Sequence, residues 1–312
     1  MKNVLIVSYS QSGQLAGVVD ALKKPLETEG IAVHHEALRP EPAFPFPWPF
    51  LAFFDAFPES VRLDPRPILP PNIPPGQTFD LVIIAWTVWY LSPSQPITAF
   101  LQSAEAKRLL AGKPVVSVVA CRNMWLSAFD TLKALVAEAG GQLVDHVALI
   151  DESPSMATFI TTPRWMLTGR RNRFLGLPPA GINAQQTAGV ARFGAALAHA
   201  LARDEEKRGL PMLCGLRAVK VEHHLVLTER AGRRVFNIWS RVIRSCGRPG
   251  QWGRIPALIL FFAYLILMIL TIVPLNIVLQ RLAAPLFARR IGALAQHYEQ
   301  PSGADGSRMA AP

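Results

Sequence analysis

Hydroxyl side chains and a single glycine follow the first apolar stretch of the chain, residues 4–7. They lead directly into a helical pattern, in the order Ser8-Tyr9-Ser10-Gln11-Ser12-Gly13-Gln14-Leu15. Backbone N–H groups at the start of a helix lack intrahelical acceptors, and the helix dipole adds partial positive charge there. Hydroxyl groups can donate further hydrogen bonds, and Gly13 has no Cβ to keep an anion away from the backbone. The stretch therefore predicts a phosphate-binding turn between a strand and a helix.

Two better-known phosphate loops are excluded by what this turn lacks. A P-loop requires Gly-Lys-Ser/Thr at the start of its helix, and a dinucleotide-binding fingerprint requires three spaced glycines. The stretch at residues 8–15 has neither. A site for a mononucleotide phosphate and an ordinary strand-to-helix turn remain as alternatives.

Two further loops follow continuous apolar runs at residues 79–86 and 113–120, which are typical of parallel strands buried on both faces. The loops read Thr87-Val88-Trp89-Tyr90 and Cys121-Arg122-Asn123-Met124-Trp125. Because the carboxyl ends of parallel strands meet at one edge of a sheet, we expect both loops to lie beside the first turn. A planar, partly apolar ring system would suit the large side chains there, namely Trp86, Trp89, Tyr90, Met124 and Trp125.

Alternating strand and helix patterns position these loops. The sequence predicts strands near residues 3–9, 31–35, 79–86, 113–120 and 142–150, and helices near 13–29, around Phe100 and Leu101, and near 183–205. Every crossover is long enough to be right-handed, so the sheet should be parallel. We predict an α/β fold with a doubly wound five-stranded parallel sheet over residues 1–205.

Two inserts interrupt this domain. The first, residues 40–78, has 12 of the 27 prolines within 40–75, so only a short helix near 50–57 can form there. Its seven Phe or Trp residues argue against disorder and indicate either a cover packed on the sheet or an apolar wall of a substrate channel. The second, residues 151–182, is a solvated loop, a phosphate clamp or a lipid-headgroup contact. It contains Arg164, Arg170, Arg171 and Arg173.

The excess of basic residues and the longest apolar run both lie in the C-terminal third of the chain. Residues 1–200 carry 16 Lys or Arg against 15 Asp or Glu, a net of +1, and residues 201–312 carry 16 against 7, a net of +9; together they give the chain's +10. This combination favours membrane lipid as a partner over nucleic acid.

We divide this third into a basic linker at 206–254, a hydrophobic transmembrane or re-entrant helix at 255–281, and a C-terminal helix and disordered tail at 282–312. No charged residue lies between Arg254 and Arg281, and that length permits a membrane crossing. Arginines on both flanks leave the orientation open. A buried helix of a soluble domain is the other alternative.

The three cysteines, Cys121, Cys214 and Cys246, are widely spaced, and no two of them form a CxxC pair. The His223-His224 pair has no further metal ligands at a suitable spacing. We predict no metal site. The N-terminus enters a strand at once and lacks signal-peptide features, so the first domain should be cytoplasmic and the whole chain membrane-associated.

The three loops together resemble the flavin-contacting loops of flavodoxin-like proteins, over about residues 1–150 and part of the closing helix. The resemblance implies that the first loop holds the phosphate of FMN and that the other two flank its ring. By position, the phosphate residues would be Ser10, Gln11, Ser12, Gly13, Gln14 and Leu15, and the ring residues Thr87, Val88, Trp89, Tyr90, Ala120, Cys121, Arg122 and Asn123.

The chain is further similar to bacterial proteins named dialkylresorcinol condensing enzymes. The similarity lies in the order of four features: the first turn, the stretch Phe44-Pro45-Phe46-Pro47-Trp48, the Cys121 loop, and the basic and apolar tail. That resemblance implies a membrane-associated FMN oxidoreductase that aromatises a cyclic diketone, an apolar small molecule made by a partner ketosynthase. Aromatisation is a two-electron oxidation, which side chains alone do not perform. Arg122 and Tyr90 are the catalytic candidates. The alternatives are an NAD(P)H-dependent quinone reductase and a non-catalytic membrane scaffold with a degenerate flavin site.

Overall fold

A computed structural model describes residues 1–222 and 226–309, excepting the side chains of residues 227, 272–274 and 276–290. The His223-His224 pair lies outside the described residues.

Five parallel strands form the central sheet, and a two-stranded antiparallel pair lies beyond its edge. In chain order the strands are β1 (Asn3–Ser8), β2 (Ala32–Ala37), β3 (Leu81–Trp86), β4 (Val88–Trp89), β5 (Ser92–Pro93), β6 (Pro114–Cys121) and β7 (Gln142–Ile150). The sheet order is β2-β1-β3-β6-β7, with β4 and β5 forming the separate pair. This is the flavodoxin-like order of doubly wound sheets. The predicted fold class is confirmed.

Helices cover both faces of this sheet. They are α1 (Gln14–Thr28), α2 (Phe50–Asp55), α3 (Phe57–Arg62), α4 (Gln95–Gln102), α5 (Ala104–Leu110), α6 (Leu126–Glu138), α7 (Ser155–Thr168), α8 (Ala184–Gly189), α9 (Ala191–Ala202), α10 (Val226–Ser245) and α11 (Ile255–Glu299). The predicted apolar face of α1 is the buried one, and it consists of Leu15, Val18, Val19, Leu22 and Leu26. The single closing helix predicted near 183–205 is two helices, α8 and α9.

The strands that carry the three loops form the middle of the sheet. All six residues of β3 are buried, because helices cover both of its faces. β3 pairs with β1 on one side and β6 on the other, in a register that aligns Ser8 with Ala85 and Trp86 with Val119. The carboxyl ends of all three strands therefore lie at one edge.

The C-terminal third packs on this domain. Helix α10 contacts α3 and α6, and α11 contacts α10 and α2. Arg254, fully buried just before α11, pairs with Asp55 at 3.3 Å and Glu59 at 3.0 Å. The segment predicted as a basic linker thus contains a docked helix. By length and composition, Trp252–Thr271 is apolar enough to cross a membrane.

The end of the chain also differs from the predicted disordered tail. Residues 300–309 lie beside β7, where Ser302 Oγ donates to Asp145 Oδ1 at 2.7 Å and accepts from the backbone N–H of His146 at 2.7 Å. Gly303 accepts a further backbone hydrogen bond from Val219. The buried carboxylate of Asp145 supplies a partner that the local composition of the tail does not reveal.

Candidate functional site

The loops after β1, β3 and β6 line one cavity of about 230 Å³. Twelve of the fourteen residues predicted to contact a cofactor line it. They are Ser10, Gln11, Ser12, Gln14, Leu15, Thr87, Val88, Trp89, Tyr90, Ala120, Cys121 and Arg122. Gly13 and Asn123 do not line it, although both lie within its loops.

The first turn presents a row of unsatisfied donors. None of the described groups accepts a hydrogen bond from the backbone N–H groups of residues 11–15, which lie at the start of α1. Ser10 Oγ accepts from the N–H of Ala16 at 3.1 Å, so this hydroxyl caps the helix. Gly13 has φ +82°, and a Cβ placed on it would meet no atom within 4 Å. The turn is therefore open to an anionic group of the size of a phosphate.

The two glutamine side chains of this turn bind the inserts. Gln11 Nε2 donates to the carbonyl of Pro45 at 2.6 Å, and Gln14 Oε1 accepts from the N–H of Ile182 at 3.2 Å. Each side chain therefore fastens one of the two inserts to the turn. Among the described groups, the backbone N–H groups of both residues and the side-chain Nε2 of Gln14 remain open to an anion.

The second loop supplies an aromatic wall. Trp89 makes edge contacts with Tyr9, Phe44 and Trp48, at ring-centroid distances of 6.0, 4.9 and 5.5 Å. Tyr90 has φ +52°, a left-handed conformation that costs energy in a residue with a side chain. Its hydroxyl donates to the carbonyl of Phe53 in α2, and burial raises the pKa of Tyr90 well above its usual value. Tyr90 is thus a neutral donor tied to the first insert.

The third loop brings the single positive charge among the described residues that line the cavity. Arg122 Nε donates to Thr158 Oγ1 at 2.6 Å, and its guanidinium lies 3.9 Å from the centroid of Phe159. Burial lowers the pKa of Arg122 to about 10, so it stays charged at neutral pH. Burial raises the pKa of the neighbouring Cys121 thiol, which is therefore not an activated nucleophile.

Three of the large side chains expected around a ring lie outside the cavity. Trp86 is fully buried, and its indole N–H donates to Ser117 Oγ at 2.8 Å. Trp125 packs against Phe129 and His146 at centroid distances of 5.7 and 5.0 Å. Met124 takes φ +56° and is not among the lining residues. The expectation that Trp86 and Trp125 flank a ring is wrong, because both side chains complete the core beneath the edge of the sheet.

The inserts supply most of the lining residues that the sequence interpretation missed. These are Tyr9, Trp48, Phe53, Thr162, Trp165, Met166 and Gly181. The aromatic content of the first insert predicts such residues, because it is typical of an apolar wall as well as of a cover on the sheet. The sequence of the second insert gives a weaker indication, because Trp165 and Met166 lie among four arginines.

Two of the four arginines of the second insert bind the backbone of the insert itself. Arg164 Nη1 donates to the carbonyls of Arg170 and Asn172 at 3.1 and 3.0 Å. Arg171 Nε donates to the carbonyl of Ala180 at 2.6 Å. These two side chains therefore do not form the phosphate clamp that was one alternative for this segment.

Helix α10 holds the loops after β3 and β6 in place. Glu229 Oε1 accepts from the N–H of Ser127 at 2.5 Å, at the start of α6. One turn later, Arg233 Nη1 donates to the carbonyl of Leu91 at 3.2 Å and to that of Ser127 at 2.8 Å. One helix thus fixes the loop after β3 to the loop after β6. The sequence interpretation missed both residues because α10 lay in the predicted linker.

Comparisons with known proteins give structural neighbours only. The chain matches no protein-family model and no curated protein. It is similar to a flavoprotein in complex with FMN from Lactobacillus acidophilus, with 16% identity over 47% of this chain and 93% of that one and a TM-score of 0.39. It is also similar to an oxidised flavodoxin from Bacillus cereus, with 12% identity over 62% and 95% and a TM-score of 0.34. Likeness at this level carries no functional information, so the fold assignment depends on the strand order and register of the sheet.

Proposed function

We propose that this chain is an FMN-binding oxidoreductase. One observation supports this above the others: the loops after β1, β3 and β6 converge on one cavity that has unpaired backbone donors at one side and aromatic walls at another. A mononucleotide cofactor with an anionic end and a flat heteroaromatic end has the matching chemistry.

The phosphate of FMN would be held by the first turn. The N–H groups of residues 11–15 and the hydroxyl of Ser12 are its donors, and the dipole of the fifteen-residue helix α1 favours its charge. No lysine is needed for this, because several N–H groups directed at one anion stabilise it together.

The ring would lie among the aromatic and apolar side chains of the second loop and the inserts, mainly Trp48, Trp89 and Trp165. When bound, FMN supplies two-electron redox chemistry that amino-acid side chains lack. Arg122 places a positive charge at the cavity, where it stabilises anionic oxygen on a bound ring or substrate. Tyr90 orients Phe53 and closes the wall against water.

An apolar ring compound is the substrate class that this lining supports. Phe53, Met166 and Trp165 offer no charged group to a substrate. A cyclic diketone delivered by a ketosynthase and oxidised to a resorcinol at a membrane is the specific form of this proposal. Its support is the apolar wall together with the exposed apolar helix α11. NAD(P)H-dependent reduction of a lipid quinone is the competing reaction for the same site.

Purification of the full chain in mild detergent tests the cofactor. We expect a yellow protein whose released chromophore has the mass of FMN, or a colourless one that becomes yellow on incubation with FMN. A protein that stays colourless with excess FMN contradicts the proposal and leaves the scaffold alternative.

Anaerobic reduction then separates the two reactions. Bleaching of the flavin by a cyclic diketone supports aromatisation, because the substrate is oxidised as the flavin is reduced. Rapid bleaching by NADPH alone, followed by recovery with a soluble quinone, supports the reductase instead.

A further inference from the structure

Helix α11 is apolar on two opposite faces in its first half. One face packs on the domain: Phe261 stacks on Phe57 with a centroid distance of 4.1 Å, and Leu258 is buried beside it. The other face is open, with Leu260 61% and Leu267 59% exposed. A helix with apolar residues all round its surface is normally buried on every side or in contact with lipid.

Neighbouring elements extend this open face into a layer. Ile238 of α10 is 61% exposed, Trp252 is 86% exposed, and Phe50 of α2 is 41% exposed. Helix α11 joins α10 and α2 through aromatic pairs: Trp239 of α10 packs on Tyr264, and Phe50 of α2 packs on Phe262. We name α2, α10, Trp252 and the first half of α11 the apolar layer. Scattered exposed apolar residues are ordinary, but a continuous layer of this kind marks an interaction surface.

Positive charge accompanies the apolar layer. Arg234 and Arg241 are exposed on α10, and no described acidic group pairs with either of them. Residues 201–312 have sixteen basic against seven acidic side chains. An amphipathic helix with arginines, next to exposed leucines and a tryptophan, has the chemistry that binds an anionic lipid surface.

Both ends of α11 are fixed to the same domain. At its start, the buried Arg254 pairs with Glu59 of α3. At its end, Ala295 is buried, and Tyr298 Oη donates to Asp130 Oδ2 at 2.7 Å. The chain then continues beside β7 through the hydrogen bond of Ser302 to Asp145.

This attachment excludes a single membrane crossing. If residues 255–281 spanned the bilayer, residues 282–294 would have to return through it before Ala295 reaches the domain. A crossing needs about 20 helical residues. The available segment has thirteen, contains Arg289 and Arg290, and cannot cross as irregular chain in lipid.

We infer that the apolar layer docks in the plane of an anionic bilayer, with both ends of α11 on the same side. In this arrangement α2 joins the bilayer to the cavity, because Phe53 lines the cavity while Phe50 and Phe54 pack on α11. A substrate dissolved in the bilayer would therefore enter the cavity beside α2. The inference of membrane docking does not depend on the proposed function. Only the route of the substrate into the cavity rests on the proposed function.

Flotation of the full chain with vesicles tests the docking. We expect binding to phosphatidylcholine vesicles that contain phosphatidylglycerol, and weaker binding as salt rises from about 0.1 M to 1 M. Leu260→Glu should lower partitioning at least about tenfold. Leu210→Glu is the matched control, since Leu210 is 62% exposed on a loop outside the apolar layer. No flotation with any vesicle overturns the inference, and a stable dimer in the same sample would assign the layer to a second copy of the chain.

Labelling of Ser307→Cys with a membrane-impermeant maleimide tests the topology. Added outside sealed vesicles, it should modify the C-terminal peptide as completely as it modifies the native Cys214, which is exposed outside the apolar layer. Modification of the C-terminal peptide only after detergent would show that α11 crosses the bilayer. Flavin absorbance is measured in the same fractions. Protein that carries flavin but does not float contradicts the docking alone, and protein that floats without flavin contradicts the proposed cofactor site alone.

Discussion

Gly13→Ala separates the role of the first turn in binding from its role in folding. The added methyl group would occupy open space beside Gly13, in the same turn whose N–H groups at residues 11–15 are unpaired. A phosphate displaced from one or two charge-assisted hydrogen bonds loses roughly 1.5–3 kcal/mol for each. We therefore expect the dissociation constant for FMN to rise at least about tenfold.

The same chain offers a matched control at the other end of α1. Gly30 has φ +75°, and a Cβ there also meets no atom within 4 Å. Both alanine variants force a left-handed conformation that costs about 1–2 kcal/mol, so each should lower the melting temperature by a few degrees. The assay is thermal unfolding of the FMN-free protein, followed by FMN titration. Equal FMN affinities for Gly13→Ala and Gly30→Ala would refute the assignment of the phosphate to this turn.

Three further outcomes follow from the contacts of the C-terminal third. Arg233→Met removes the donor shared by the loops after β3 and β6, so FMN affinity should fall about tenfold in a fluorescence titration. The same substitution at the exposed neighbour, Arg234→Met, should leave FMN affinity unchanged. Arg254→Met leaves two carboxylates without their buried cation and should destabilise the chain by about 3–5 kcal/mol in denaturant unfolding; a change under about 1 kcal/mol would contradict the buried pairing. Burial raises the pKa of Glu229 to about 7 and that of Asp145 to about 6. The folded state then binds more protons than the unfolded state, so these two groups lower the free energy of unfolding as pH rises from about 4 to about 7. Glu229→Gln should flatten that slope in unfolding experiments, and an unchanged slope would contradict the raised pKa.

The sheet and its three loops were predictable because their signals are local. Apolar runs at 79–86 and 113–120 mark strands buried on both faces, and the spacing of Leu15, Val18 and Leu22 marks the inner face of α1. The carboxyl ends of parallel strands lie at one edge of the sheet, so the meeting of the three loops follows from the sheet alone. Twelve cavity residues follow from that geometry.

The remaining features depend on pairings between distant segments. Trp86 points into the core towards Ser117, and nothing in its own neighbourhood gives that direction. The hydrogen bonds of Gln11 and Gln14 to the inserts join segments far apart in the sequence, and nothing near either residue predicts them. Glu229 was hidden in a segment whose positive charge dominated its interpretation.

A structure of the protein with FMN bound would decide whether the cavity is a flavin site. We expect phosphate oxygens at about 3 Å from the backbone nitrogens of residues 11–15, and the ring between the loops after β3 and β6. FMN bound elsewhere on the chain, or a ring outside the cavity that Trp89 and Arg122 line, would contradict this expectation.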